Sequence, residues 1–477
     1  MFLFLQFLIS LFLAIMYINA PREMNVPYLV QVLLADAMTF ALLYICKVYS
    51  LRNFFRISAI FILVYGIVHF QAYLDFCLGN IPISHWFIWR DNSVVCKSAA
   101  ISGLGLSAFA IGNYIILKKK KIPVLSKYDG SYLSSEVVSL LFYAVIFLVY
   151  LITTDKSYFI GGAGHGRVGP NGYVQNLLDG CVIICFCQSF WNNAHKNRRS
   201  IKKYFGGFNK VFLGLTSLYF ILVLSSGDRS QMVAIILLFI SGYIYTTGKN
   251  LSFIYILFLF VLIAPTLSLI GKIRGFERGE TSVIAKISDY SLGKDDFGIE
   301  QYPSIMPSTS NYASIVRGLH LTVSYTDSNG YWYGRMTFNE ATALVPFLNR
   351  LLGHIVHRDE LESMVSAPFV TYLSQGTNVR YGEGTTCLVS LWLDGGILGV
   401  IVGMFLAGVF FGICDNIFEN PNYFSPLVYI IVFTVIAGVV VIPRSSFGLL
   451  AKSIISTVLL FLIIKMIPAK NERLRIR

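Results

Sequence analysis

The chain is constrained above all by apolar segments, each about 20 residues long, that recur from its first residues almost to its last. A helix of about 20 apolar residues crosses a hydrocarbon core roughly 30 Å thick. Spans are expected at roughly 2–19, 28–46, 57–74, 98–117, 134–153, 174–191, 211–225, 231–247, 251–271, 386–413, 425–442 and 446–465, about twelve in all. Continuous runs such as Phe253 to Ile263 and Val428 to Ile442 argue for helices, and the alternation of an outer-membrane barrel is missing. Helices also satisfy their own backbone hydrogen bonds in lipid. At 55% hydrophobic and 13% charged, the 477 residues fall outside the soluble range, so the class is an all-α polytopic membrane protein. Phe2 to Ile18 lacks a basic n-region and a small-residue cleavage site, and reads as an uncleaved first span.

One hydrophilic stretch of about 114 residues, Lys272 to Thr385, interrupts this pattern. It divides the chain into 1–271 with nine transmembrane helices, 272–385 as one large loop, and 386–477 with three helices and a basic tail. Orientation follows from the basic residues. Alternate loops hold twenty of them, including Lys118 to Lys121, Lys196 to Lys210 and the tail from Lys465 to Arg477. The opposite short loops hold only seven: Arg22, Arg90, Lys97, Lys156, Arg167, Arg229 and Arg444. By the positive-inside rule both termini are cytoplasmic and the large loop is extracytoplasmic. The net charge of +13 is thereby a matter of topology, and no nucleic-acid partner is expected.

Most of the eight cysteines fall in or beside apolar runs, where small buried thiols are the ordinary reading. None has zinc-site spacing, though Cys77 and Cys96 could pair on the outer side. Within the loop, Phe338 to His357 has helical apolar spacing, suited either to the membrane surface or to packing inside the loop.

Two outer turns concentrate cations where positive charge is otherwise scarce. Arg229 lies in Ser225-Ser226-Gly227-Asp228-Arg229-Ser230-Gln231, which taken alone is equally a solvated hairpin turn. Arg444 lies in Pro443-Arg444-Ser445-Ser446 and is followed by Lys452, a base inside an apolar span that requires a partner or a wet cavity. Together they suggest an anionic ligand at the outer mouth. Arg317 and Arg380, without acidic neighbours, rank above Arg274 and the other loop arginines. Glu383 and Asp394 flank the return to the membrane as a base, or as cap or ion-pair residues. The loop Gly161 to Gly169, which carries Arg167, lacks a nucleotide-binding pattern but could touch substrate. Asp36 inside the second span is a candidate ion or proton site with no readable partner. His320, His354 and His357 read as surface residues in preference to metal ligands or bases.

This arrangement resembles the Wzy-type O-antigen and capsule polymerases, with the O-antigen ligases as a more distant likeness. Architecture carries the resemblance, together with SGDRSQ at an outer turn and GTTCLVSLWLDGGILGVIVGMFLAGVFFG after the loop, with Gly395, Gly396 and Gly399 in the small-residue helix. The resemblance implies a GT-C-like bundle in the bacterial cytoplasmic membrane. It implies a glycosyltransferase that joins undecaprenyl-pyrophosphate-linked oligosaccharide repeat units into O-antigen or capsular polysaccharide at the outer face. Membrane lipid, a chain-length regulator and a flippase are the implied partners. Guanidinium groups can stabilise a departing pyrophosphate, so neither a metal nor another cofactor is expected. On that view Arg229 and Arg444 clamp pyrophosphate, Arg317 and Arg380 hold a second phosphate or the loop, and Glu383 or a loop histidine assists the acceptor hydroxyl. The His-Asn pair of the ligases is absent before Thr385. The alternative is a lipid-linked oligosaccharide flippase or polysaccharide exporter, which gains nothing obvious from so large a loop.

Overall fold

The structure is a computed structural model that describes residues 1–49, 55–118, 135–156, 158–160, 172–194, 201–226, 228–247, 304–344, 348, 351, 361–379, 382–419 and 425–467. The expected span at 251–271 and residues Arg167, Arg274, Arg380, His354 and His357 lie outside them. Among the described residues the secondary structure is helical, without strands. Eight helices among the described residues are long and apolar enough to cross a membrane. They include α2 (Val26–Ile45), α3 (Ile57–Cys77), α4 (Val95–Lys118), α5 (Glu136–Thr153), α6 (Gly172–Ala194), α9 (Arg229–Thr247), α14 (Cys387–Glu419) and α16 (Phe447–Met466). Shorter apolar helices are α1 (Phe2–Ile18), α8 (Lys210–Ser226) and α15 (Pro426–Gly438), and α7 (Ile201–Phe205) is a brief connector.

The first helix shows which solvent the bundle is built for. It turns Phe4, Phe7, Leu11 and Ile15 outward, while Gln6 points inward and donates to Thr39 Oγ1 at 3.0 Å and Ser107 Oγ at 2.6 Å. A chain that hides a glutamine and exposes phenylalanines is matched to lipid, where interhelical hydrogen bonds and close packing take over from hydrophobic burial. Local sequence sets the helix starts. Asn25 Oδ1 accepts from Tyr28 N at 2.9 Å just ahead of Pro27, and Ser446 Oγ accepts from Leu449 N at the start of α16.

Helices α4 and α14 make the closest contact. A Cβ added at Gly408 would lie 2.1 Å from Phe109 O, and one at Gly112 would lie 2.2 Å from Phe405 O. Only bare backbone fits there, and Asn113 Nδ2 uses the approach to donate to Gly408 O at 3.3 Å.

The expected span 386–413 is one apolar run but not one straight helix. Gly396 has φ 57° and ψ −145°, and breaks α14. Gly399 then lies against Leu391 O, and Gly403 against the Leu391 side chain. Residues eight apart on a straight helix would be about 12 Å from each other, so the chain doubles back at Gly396. A leg of about nine residues, Cys387 to Gly395, rises only about 14 Å. It lies beside the longer leg, and Leu388 and Met404 both meet α4 at Gly105.

Part of the hydrophilic stretch threads down into the bundle. Asp75 near the end of α3 accepts from Ser304 Oγ at 2.6 Å and Ile305 N at 2.8 Å. One turn deeper, Gln71 Oε1 accepts from Thr309 Oγ1 at 2.7 Å. After α10 (Ser310–Ala313), α11 (Arg317–Asn329) rises beside the short leg, and Trp392 Nε1 donates to Thr326 Oγ1 at 2.8 Å. Asp394 then caps α12 (Arg335–Thr342), accepting from Met336 N at 2.8 Å and Thr337 N at 2.7 Å. A final loop helix, α13, covers Ser366–Gln375.

His320 is not a surface residue: it is fully buried and lies 2.9 Å from the Tyr73 hydroxyl. Burial pulls its pKa down from 6.5 to about 4, against the opposing influence of the Ile88 carbonyl and Asp91. Cys77 and Cys96 are free thiols.

Two outcomes follow. Gly408→Leu forces α4 and α14 apart and destabilises the protein by about 1–3 kcal/mol or more, read as a lower thermal midpoint in detergent. The folded pKa of His320 is below its unfolded value, so the unfolded chain binds more protons between the two. Its contribution is full above about 6.5 and is lost as pH falls toward about 4. His320→Gln flattens the stability profile across that window.

Candidate functional site

Helices α6, α9, α15 and α16 line a half-open cavity of about 400 Å³, within the roughly 300–1,000 Å³ common for small-ligand sites. Its wall is built by helical repetition: Gln175, Asn176, Asp179 and Val182 on α6, and Gln231, Ala234, Ile235 and Leu238 on α9. From α16 come Leu449, Lys452, Ser453 and Thr457, and from the turns Asp228 and Ser445.

Lys452, singled out in the sequence, lines this space, and the turns that carry Arg229 and Arg444 border it. Arg229 opens α9 between Asp228 and Ser230, both of which line the cavity. Asp228 caps that helix, accepting from Ser230 N at 3.1 Å and Ser230 Oγ at 2.6 Å, which fixes the turn. Arg444 precedes the lining residue Ser445, and its guanidinium lies 4.7 Å from the Tyr312 ring of α10. Lys452 lines the cavity itself, with Nζ 4.2 Å from the Tyr173 ring at the start of α6. The Arg444 turn is recessed: Phe447, three residues on, lies 6.5 Å from Phe61, in the second turn of α3 from the opposite end of that helix.

Arg317 and Glu383 do not line this cavity. They form a buried ion pair, 8% and 1% exposed, with Arg317 Nε donating to Glu383 Oε2 at 2.7 Å. Glu383 Oε1 accepts from Ser374 Oγ at 2.7 Å, and Glu383 N donates to Thr371 Oγ1 at 2.9 Å. The guanidinium lies 3.6 Å from the Phe87 ring, and Arg90 Nη2 donates to Ser374 Oγ at 3.2 Å. The cluster fastens the segment before α14 to α11 and α13. Removing one partner of such a pair costs about 3–5 kcal/mol, because the other charge is left buried.

Asp36 lies apart from both places, buried against Gly103 and Leu13, and neither carboxylate oxygen has a hydrogen-bond partner among the described residues. No group of three or more His, Cys, Asp or Glu among the described residues is placed to hold a metal ion. Sequence reasoning passed over Asp179. A signal was present in the polar spacing Gln175, Asn176, Asp179 within the candidate span of lowest mean hydropathy, 1.2.

No curated relative and no solved structure matches this chain. A family model, O-antigen polysaccharide polymerase Wzy, matches residues 1–471, nearly its full length. A polytopic helical bundle agrees with that match, and the chain belongs to the Wzy family of O-antigen polysaccharide polymerases.

Proposed function

We propose that the protein joins undecaprenyl-pyrophosphate-linked oligosaccharide repeat units at the outer face of the bacterial cytoplasmic membrane. The observation that carries this reading is the convergence of the Arg229 turn, the Arg444 turn and Lys452 on one cavity. Pyrophosphate leaving an anomeric carbon concentrates negative charge. Arginines bind phosphate oxygens through paired N–H donors, and in a recessed site that attraction is little screened by water.

In this reading Arg229 and Arg444 hold the pyrophosphate, and Lys452 adds charge from within the cavity wall. The arginines supply the positive charge that a divalent cation would otherwise bring, so turnover persists in a chelator. The Arg317–Glu383 pair anchors the loop over the site, and Arg380, Arg274 and Arg167 are further contacts for the anionic substrate. Basic-residue placement supports cytoplasmic termini and an outward-facing loop. A flippase that delivers substrate and a chain-length regulator are the working partners.

The decisive experiment supplies purified protein in lipid with lipid-linked single repeat units and looks for a ladder of longer chains. Arg229→Ala and Arg444→Ala each lower turnover by on the order of 10² to 10³, and lysine at either position restores only part of it. A cell that holds either alanine variant at normal level and still displays full-length polysaccharide overturns the clamp.

A further inference from the structure

We infer that the cavity seats the acceptor sugar, and that the Asp179 carboxylate takes the proton from its attacking hydroxyl. The inference rests on the polymerase reading and adds a residue role to it.

Among the described residues, three ionisable side chains line the cavity: Asp179, Asp228 and Lys452. Lys452 is a cation set against an aromatic ring. Asp228 is committed to the fold, capping α9 through Ser230 and accepting from the Tyr158 hydroxyl at 3.3 Å. Asp179 differs in position and in company. It sits about two turns inside α6 and is only partly buried, and one oxygen accepts from the Tyr219 hydroxyl at 2.9 Å. That bond fixes the orientation of the carboxylate. Carboxylate oxygens offer about four acceptor positions, so room remains for a substrate hydroxyl.

The neighbours of Asp179 suit a sugar. Gln175 and Asn176 lie one turn before it on α6, and Gln231 faces it from α9. Side-chain amides both donate and accept, as a ring of hydroxyls requires, and the apolar Val182, Ile235 and Leu238 suit the faces of a pyranose. Asp228 is near enough to act electrostatically on Asp179, which places that carboxylate close to the turn bearing Arg229.

In the step assigned here, the acceptor hydroxyl oxygen attacks the anomeric carbon of the donor chain and a C–O glycosidic bond forms. The bond from that carbon to the pyrophosphate oxygen breaks, and its electron pair leaves with the lipid pyrophosphate. The hydroxyl proton passes to Asp179 and then to solvent.

The test uses the full-length protein in lipid nanodiscs with a lipid-linked single repeat unit, measuring binding and ladder formation separately. Asp179→Asn preserves the side-chain shape, so binding stays within a few-fold of the parent while turnover falls by about 100-fold or more. Asp179→Gly leaves space for a small carboxylate, and added formate restores part of its turnover, which a purely structural role does not explain. Ladder formation by Asp179→Asn at close to the parent rate overturns the assignment, as does loss of binding in step with turnover. Should Asp179→Asn fail to accumulate, absence of formate rescue in Asp179→Gly overturns it equally. A parent protein that makes no ladder refutes the polymerase reading; a parent ladder matched by Asp179→Asn refutes only the role of Asp179.

Discussion

Backbone against backbone, where α4 meets α14, is the contact from which the rest of the molecule takes its positions. In lipid no hydrophobic force draws two apolar helices together, and their affinity comes from how nearly the main chains can touch. Gly112 and Gly408 permit that approach. With the long leg of α14 held there, the short leg packs beside it against Gly105, and α11 aligns along the short leg through Thr326 and Trp392. At the other end of the bundle, Asp415 of the long leg caps α3 by accepting from Ile57 N at 2.7 Å, and Arg56 meets Glu419 at 2.6 Å.

The site stands on a second group of helices. Helices α6, α9, α15 and α16 form the cavity, and the descending loop reaches it where Tyr312 meets Arg444. Glu340 of α12 adds a second tether, lying against Gly448 at the start of α16. Burial raises its carboxyl above the usual range despite the nearby Ser366 and Ser446 hydroxyls. Loop and membrane helices therefore share side-chain contacts at the site, and a change in one is felt by the other.

Hydropathy made the helices legible, because lipid admits few ways to satisfy a backbone. Scarcity of positive charge singled out Arg229, Arg444 and Lys452 in the sequence, since a cation placed against topology requires a reason. The fold-back at Gly396 was hidden, because two glycines in an apolar run read alike whether the helix continues or reverses. Arg317 and Glu383 are 66 residues apart, and only the tertiary arrangement brings them together. Asp179 was masked by its length of apolar neighbours, although its polar companions one turn away stood in plain view.

The reversal at Gly396 also bears on how the chain is assembled. A leg of about nine residues is too short to partition into a bilayer as a span in its own right. The non-helical backbone at Gly384 to Thr386 that leads into it tolerates membrane depth only when enclosed by protein. Both must wait for α3, α4 and the long leg to come together, so the segment carrying Glu383 docks after the spans that surround it. Biogenesis thus has an order written into it, in which the short leg and the segment leading into it dock last, after the scaffold is already in the membrane.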